Sequence, residues 1–220
     1  MIDLTGRTVV IVAASAPLGA ALVEAFASHG ALVAAVEDEG FDAQLEELAS
    51  NGRHLDALVR GAPEVRSLAG PEEYSEVRLM GAVSGGAWPA ISCLLRAKSA
   101  LGKFPRHTVA LSSSAADRAE LGADFAAAGG AVLETLCRYW SGRLATEGAH
   151  FNLIRHRAFA ADRRLPDRLI ATAADVASAA VALCSGWMDP MCGQVLTVDR
   201  GAGFCDNVFR QYAEREQRVR

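Results

Sequence analysis

Apolar residues in this chain form two alternating kinds of segment. Short continuous runs, rich in β-branched residues, are typical of strands covered on both faces of a parallel sheet. They lie at 9–14, 31–36, 55–59, 108–112, 151–154 and 194–198. After the first run, Leu18, Leu22 and Phe26 recur with the spacing of an amphipathic helix. Further helical stretches lie at 40–50, 74–102, 122–147 and 173–185. This alternation predicts an α/β fold, a doubly wound parallel sheet.

The composition excludes several classes of function. With 220 residues and 51% hydrophobic content, the chain can form one domain with a sizeable core. Its net charge of −4 provides no basic field for nucleic acid. No apolar run has the length of a membrane span, and the first residues lack the pattern of a signal peptide. We therefore expect a cytoplasmic protein that binds neither nucleic acid nor membrane.

The cysteine and histidine positions indicate no metal centre. The five cysteines include no CxxC pair, and Cys93, Cys137 and Cys184 lie among apolar residues. Such cysteines are typical of buried free thiols. The five histidines are scattered, without HExxH or a comparable spacing of ligands. From spacing alone, we expect no metal site.

Four segments resemble the short-chain dehydrogenase/reductase family. LTGRTVVIVAASAPLGAALVEAFASHGALVAAVE resembles the family's opening, and GQVLTVDRG resembles its last strand. LDALVRGAP corresponds to the fourth strand, and TVALSSS to the fifth strand with its catalytic serine. The order of elements is the same along nearly the whole chain. The resemblance implies the family's Rossmann-like fold over residues 1–201, with 202–220 as a C-terminal tail of the same domain.

The resemblance also implies where a nucleotide would bind. In the family's loop, successive glycines make a tight turn, admit the pyrophosphate and pack the helix on the strand. Those positions are Ala13, Pro17 and Gly19 here, so only the packing glycine is kept. Pro17 offers no N–H to a phosphate and is favoured at the start of a helix. Glu37 matches the acid that holds the ribose of NAD, but beside such a loop we expect it to be vestigial. We expect no cofactor in this chain.

Other segments of the family are missing or replaced. The interval between Glu37 and Leu55 has room for one helix and a turn, so we expect the third, edge strand to be absent. The family's Asn-Asn-Ala-Gly is Arg-Gly-Ala-Pro at 60–63, and its nicotinamide-contacting Pro-Gly is His156 and Arg157. The segment that follows is too short for the usual helices of the substrate lid, so we expect the lid to be absent as well.

The catalytic residues that the resemblance implies are mostly absent. Ser113 matches the family's serine, but Ala126 stands at the tyrosine position and Gly130 at the lysine position. Neither alanine nor glycine can transfer a proton. Without a base, Ser113 is expected to be a vestigial hydroxyl bonded to the backbone. Tyr139 and Arg143 have the Tyr-x-x-x-Arg spacing of related dehalogenases, but they lie more than three helical turns too far along.

The elements that family members use to form oligomers are kept. They include the long helices at 74–102 and 122–147, the helix at 175–184 and the last strand. Small residues at 126–131 would allow close packing against a partner helix. The chain thus resembles the non-catalytic subunit of hetero-oligomeric family members that oxidise a hydroxyacyl-CoA. That resemblance implies a scaffold in a heterotetramer, with NAD bound by an intact partner subunit of the same family.

Two alternatives and one cluster stay open at this point. The chain could be an enzyme of another class on the same fold, a lyase or isomerase that uses Ser113 with His156. It could instead be a regulatory protein that binds a small molecule in the altered cleft. An arginine cluster either meets the phosphates of a CoA thioester or an acidic partner, or is a solvated loop balanced by acids. Its members are Arg155, Arg157, Arg163, Arg164 and Arg168.

Overall fold

The sheet is built from six parallel strands. The computed structural model describes residues 2–15, 17–62, 71–117, 122–156 and 170–202. The strand order is β2-β1-β3-β4-β5-β6, with every neighbouring pair parallel. The strands are β1 (Thr8–Val12), β2 (Leu32–Val36), β3 (Ala57–Arg60), β4 (His107–Ser113), β5 (His150–His156) and β6 (Val195–Val198). The predicted doubly wound parallel sheet is confirmed by this order. Its central strands are buried on both faces, as expected for a sheet covered by helices on each side.

In the described residues, five α-helices cover the two faces of this sheet. They are α1 (Leu18–Ser28), α2 (Phe41–Ser50), α3 (Glu76–Leu101), α4 (Asp124–Leu144) and α5 (Ala173–Cys184). On one face α1 packs against α5, and on the other α3 packs against both α2 and α4. Three clusters of buried apolar side chains fill the space between these helices and the strands. In the described part of the chain, no helix has both the length and the apolar composition needed to cross a membrane.

The edges of the sheet agree with the expected loss of one strand. Among the described residues, β2 is the outer strand on its side, and α2 leads from it directly to β3. The expected shortening of the substrate lid falls within 157–169, which lies outside the described residues. Most of the tail expected at 202–220 also lies outside them.

Small residues let α3 and α4 approach each other closely. A Cβ on Gly86 would lie 2.8 Å from the Cα of Gly129, and a Cβ on Gly129 would lie 2.7 Å from the carbonyl oxygen of Ala82. The expectation that the small residues at 126–131 serve a partner helix therefore needs correction at Gly129. That glycine is used within the chain, to pack α4 on α3.

Candidate functional site

The predicted site residues gather where the strands end. In an open parallel sheet, ligands bind at the carboxyl ends of the strands. Ala13 follows β1, Glu37 follows β2, Arg60 ends β3, Ser113 ends β4 and His156 ends β5. The structure thus brings together, at the carboxyl ends of the strands, residues that are far apart in the sequence.

The turn after β1 has a left-handed backbone conformation at the position matched to the first glycine. Ala13 adopts a φ of +47°, a left-handed conformation that costs a non-glycine residue about 1–2 kcal/mol. A Cβ on Gly19 would lie 2.6 Å from the carbonyl oxygen of Ala14, which explains why the packing glycine is needed. A Cβ on Gly61 would lie only 2.0 Å from the carbonyl oxygen of Ala13. The turn after β1 is therefore locked between α1 and β3.

This turn offers few donors to an anion. The helix α1 begins at Leu18, one residue later than predicted, with Pro17 as its N-cap and no side-chain cap. Pro17 carries no N–H. The N–H of Gly19 donates to the carbonyl oxygen of Ser15 at 2.8 Å. Two of the backbone positions that would face a phosphate at a helix N-terminus are thus without a free donor.

Arg60 lies across the ends of β1 and β2. Its side chain is only 5% exposed. One terminal nitrogen donates to the carbonyl oxygen of Val12 at 3.2 Å, and the other donates to Asp38 Oδ2 at 2.9 Å. The acid that is engaged beyond β2 is therefore Asp38 and not Glu37. The resemblance to the family pointed to Glu37, because that residue directly follows the predicted strand.

Glu37 lines a small cavity beside this ion pair. The cavity has a volume of about 150 Å³ and is also lined by Ile11, Ala14, Gly19 and Val36. It lies between the turn after β1 and the end of β2. Its size suits a small molecule or a fragment of a nucleotide.

The position matched to the catalytic lysine is crowded. A Cβ on Gly130 would lie 3.0 Å from the Cβ of Ala116 and 3.1 Å from Ser112 Oγ. Such distances are at the limit of van der Waals contact before any further lysine atom is placed. The helix α4 therefore lies against the end of β4, where the lysine of the family would extend. Ala126, at the tyrosine position one turn earlier, is half-buried.

Neither tyrosine in the described part of the chain replaces the missing one. Tyr139 is 70% exposed on α4, away from the strand ends. Tyr74 stacks edge-on against Phe125 at the start of α4, with ring centroids 5.1 Å apart. A hydrogen bond to Asp124 raises the pKa of Tyr74 above its ordinary value. A raised pKa lowers the fraction of this phenol that is ionised at neutral pH, so less phenolate is present to act as a base.

Ser113 and His156 lie side by side at the ends of neighbouring strands. Their Cα atoms are register partners between β4 and β5. Ser113 Oγ accepts a hydrogen bond from the backbone N–H of Ala115 at 3.1 Å, as expected for a hydroxyl that closes a strand.

A buried ion pair lies in the catalytic half of the cleft, the half formed by the ends of β4 and β5 and by α4. Arg155 on β5 donates two hydrogen bonds to Glu134 on α4, at 2.9 and 2.8 Å, and Asp117 lies 3.1 Å from the same guanidinium. The side chain of Glu134 is only 9% exposed. Sequence comparison missed Glu134, although it stands one helical turn beyond Gly130, on the same buried face. Arg155 is thus engaged within the chain. Arg157, Arg163, Arg164 and Arg168 lie outside the described residues.

The buried cysteines are not candidate nucleophiles. Burial raises the pKa of Cys93 to about 11 and the pKa values of Cys137 and Cys184 to about 12. Thiols with such pKa values are almost fully protonated at neutral pH.

Comparison with known proteins identifies the fold through structure alone. In sequence, neither a protein-family model nor a curated protein matches this chain. The enoyl-[acyl-carrier-protein] reductase (NADH) of Aquifex aeolicus is similar in structure, with a TM-score of 0.72 and 20% identity, over 90% of this chain and 96% of that one. A short-chain dehydrogenase of Mycobacterium smegmatis gives a TM-score of 0.75 at 19% identity, over 90% and 94%. The chain has the short-chain dehydrogenase/reductase fold.

A further structure with this fold was solved as a complex. The Bacillus cereus enoyl-acyl carrier protein reductase, with NADP+ and indole naphthyridinone, gives a TM-score of 0.69 at 16% identity, over 91% of this chain and 98% of that one. Likeness at such identities establishes the fold of this chain and not its activity. The activity has to be argued from the strand ends.

Proposed function

We propose that this chain is a non-catalytic subunit with the short-chain dehydrogenase/reductase fold, which pairs with an intact, NAD-dependent subunit in a heterotetramer. The observation that carries the proposal is Gly130 at the lysine position, packed so closely on Ala116 and Ser112 that a longer side chain would have to displace them. A glycine that packs there supports the helix and the strand but transfers no proton. We place the assembly in the cytoplasm, where free thiols such as Cys93 and Cys137 persist.

The nucleotide half of the cleft, formed by the turn after β1 and the ends of β2 and β3, supports the same proposal. The guanidinium of Arg60 and its ion pair with Asp38 lie at the strand ends that would face a dinucleotide. Pro17 and the bonded N–H of Gly19 weaken the phosphate site. Among the described residues, the cavity beside Glu37 has a volume of about 150 Å³, which suits a fragment of a dinucleotide. We infer that these residues do not fit NAD and that the cofactor belongs to the partner subunit.

An apolar surface supports the pairing. Two exposed apolar residues on each helix point away from the sheet: Trp88 and Leu95 on α3, and Val132 and Tyr139 on α4. Within each helix the two residues are two turns apart and therefore share a face. Trp88 is 57% exposed. Because α3 and α4 pack side by side, we propose that these four exposed side chains belong to one interface. Large exposed apolar patches, and tryptophan and tyrosine in particular, are typical of protein interfaces.

The reaction of the complex is proposed by analogy. An arrangement of this kind is that of phenyl(hydroxymethyl)succinyl-CoA dehydrogenase, which includes a subunit type that resembles a degenerate short-chain dehydrogenase. The proposed partner therefore oxidises a hydroxyacyl-CoA. Contact of this chain with the CoA phosphates would fall to the arginines at 157, 163 and 164, because Arg155 is held by Glu134.

Native mass spectrometry of the tagged chain, purified from its own cells, tests the proposal. We expect a stoichiometric complex with a homologue that carries the Tyr and Lys pair. Leu95→Glu on the proposed interface should abolish the complex, whereas Leu32→Glu, at a comparably exposed leucine of β2, should leave it intact. A monomer or a homo-oligomer without such a homologue would contradict the scaffold role. Calorimetric titration of the chain alone with NADH should give no binding, and micromolar affinity would contradict the inference about the cleft.

A second candidate function follows from the pairing of Ser113 with His156. Their adjacent positions on β4 and β5 would suit a lyase or isomerase that transfers a proton. The small cavity beside Glu37 would suit a regulatory ligand instead. Ser113→Ala should abolish a lyase or isomerase activity of the purified chain, and an unchanged rate would exclude this candidate.

A further inference from the structure

A cluster of two histidines and an aspartate lies at the opposite end of the sheet from the cleft. His107 and His150 are the first residues of β4 and β5 and are register partners. Their rings stack with centroids 5.5 Å apart and planes 18° apart. His107 Nε2 lies 2.7 Å from Asp189 Oδ1, in the segment after α5. One ligand atom from each of the three residues lies within 4.8 Å of the other two.

Both imidazoles have a ring nitrogen without a partner. The Nδ1 atoms of His107 and His150 are buried and make no hydrogen bond within the described residues. The side chain of His107 is only 2% exposed. A buried polar atom without a partner costs about 1–3 kcal/mol, so such atoms call for a bound ion or water. Because His107 already faces Asp189 through Nε2, its Nδ1 calls for a water, and His150 Nδ1 is the unpartnered atom that an ion beside Asp189 would satisfy.

The chemistry of these donors fits one class of ion. Two imidazole nitrogens and one carboxylate oxygen are typical ligands of Zn²⁺ and related transition metals, whereas Mg²⁺ and Ca²⁺ prefer oxygen ligands alone. The second oxygen of Asp189 accepts a hydrogen bond from Arg106 at 2.7 Å. Such an outer partner orients a ligating carboxylate.

We propose that His107, His150 and Asp189 form a site for a divalent transition metal ion of the zinc class, with a fourth position open to solvent. Metal–ligand bonds of about 2.0–2.1 Å in a tetrahedral site place ligand atoms roughly 3.4 Å apart. The three groups therefore have to close by about 1 Å on binding. His150 and Asp189 are only partly buried, which leaves them room to move.

A cavity lies near this site, although none of the three proposed ligands lines it. A cavity of about 350 Å³ is lined by Arg106 and Ala149, which directly precede the two histidines, and by His54, Asp56 and Lys103. In the bound state, the ion would join β4, β5 and the segment after α5. The site is independent of the strand ends where a cofactor would bind, so it does not rest on the proposed function.

Titration of the full chain with Co²⁺, after removal of metal with a chelator, tests the site. We expect one equivalent of Co²⁺ with the strong visible absorption of tetrahedral coordination, displaced by one equivalent of Zn²⁺. His150→Gln and Asp189→Asn should each weaken binding by about 100-fold or more, since even the loss of an outer partner costs 10–100-fold. His54→Gln, at an exposed histidine of the neighbouring cavity, should bind as the unchanged chain does.

Three outcomes would overturn the proposal. They are the absence of stoichiometric binding, undiminished affinity in both His150→Gln and Asp189→Asn, and a thiolate charge-transfer band that assigns the Co²⁺ to cysteine. His107 is left unchanged, because its burial makes a substitution hazardous for folding. Circular dichroism of each variant before titration verifies that lost binding reflects a lost ligand and not a lost fold.

Discussion

Each half of the candidate cleft contains an ion pair between an arginine near a strand end and an acid, but the two acids differ in their exposure. In the nucleotide half, Arg60 at the end of β3 pairs with Asp38, which is 48% exposed. In the catalytic half, Arg155 on β5 pairs through two hydrogen bonds with Glu134, which is 9% exposed. In the nucleotide half, the turn after β1 has a left-handed φ at Ala13 and keeps the packing glycine, Gly19. In the catalytic half, α4 packs against β4 and crowds the position matched to the lysine.

The largest expected effect comes from the backbone contact in the nucleotide half. In Gly61→Ala, the new Cβ would meet the carbonyl oxygen of Ala13 at 2.0 Å and the Cα of Ala14 at 2.7 Å. Because backbone atoms of a locked turn cannot yield cheaply, we expect the free energy of unfolding to fall by about 3 kcal/mol or more. Urea unfolding followed by circular dichroism measures the loss.

Gly81→Ala is the matched control for this contact. Gly81 lies on α3 with no atom within 4 Å of the added Cβ. Alanine is the better helix former, so this variant should gain about 0.5–1 kcal/mol. Equal losses in the two variants would show that the turn after β1 is not locked as described.

Breaking the buried ion pair should come next. Glu134→Gln removes the charge that Arg155 faces, and breaking a buried pair costs several kcal/mol. Asp117 stays near the guanidinium, so we expect a loss of about 2–3 kcal/mol in the free energy of unfolding. Asp38→Asn, the equivalent change in the nucleotide half, should cost less, about 0.5–1 kcal/mol, because the half-exposed amide oxygen of the variant would still accept from Arg60, although that guanidinium is buried. Similar costs in both halves would contradict the comparison.

Restoring the lysine tests this crowding directly. Gly130→Lys forces a long side chain against Ala116 and Ser112, and we expect it to lower the free energy of unfolding by about 2 kcal/mol. Gly142→Lys, on the same helix with no atom within 4 Å of its Cβ, should instead gain roughly 0.5 kcal/mol. A Gly130→Lys variant as stable as the unchanged chain would show that α4 can move away from β4.

The sequence was sufficient for the fold because hydrophobic runs determine parallel strands. All six strands and five helices were predicted, with boundaries within a few residues. The first strand was extended two residues too far, since 9–14 is apolar throughout. The left-handed φ of Ala13 ends the strand earlier. Apolarity records burial, and it does not record where the chain turns.

The site was less predictable because its contacts join distant elements. Resemblance located Arg60, Ser113 and Gly130, but it missed Asp38 and Glu134. Their partners are Arg60 and Arg155, which come from other elements, β3 and β5 of the sheet. The three residues of the proposed metal site come from three elements, so no local spacing could reveal them. Register places His107 beside His150, and register follows only from the assembled sheet.

The last pair at this edge has an intermediate exposure and should have an intermediate effect. Arg200 donates to both oxygens of Asp175, at 2.8 and 2.9 Å, and Asp175 is 28% exposed. Asp175 also forms a capping box with Thr172 at the start of α5. Asp175→Asn removes the charge and weakens the cap, so we expect a loss of about 1 kcal/mol at pH 7, between those of Glu134→Gln and Asp38→Asn.

The dependence of this loss on pH separates the ion pair from a packing effect. The hydrogen bond from Arg200 is the main reason that the pKa of Asp175 is lowered from 3.8 to about 2. Because the folded chain holds the ionised form more strongly than the unfolded chain, the stabilisation is complete above about pH 4 and disappears as the pH falls towards 2. In urea unfolding at a series of pH values, the difference between Asp175→Asn and the unchanged chain should shrink over that interval. A difference that stays constant down to pH 2 would mean that the asparagine disturbs packing at α5 and that the ion pair contributes nothing.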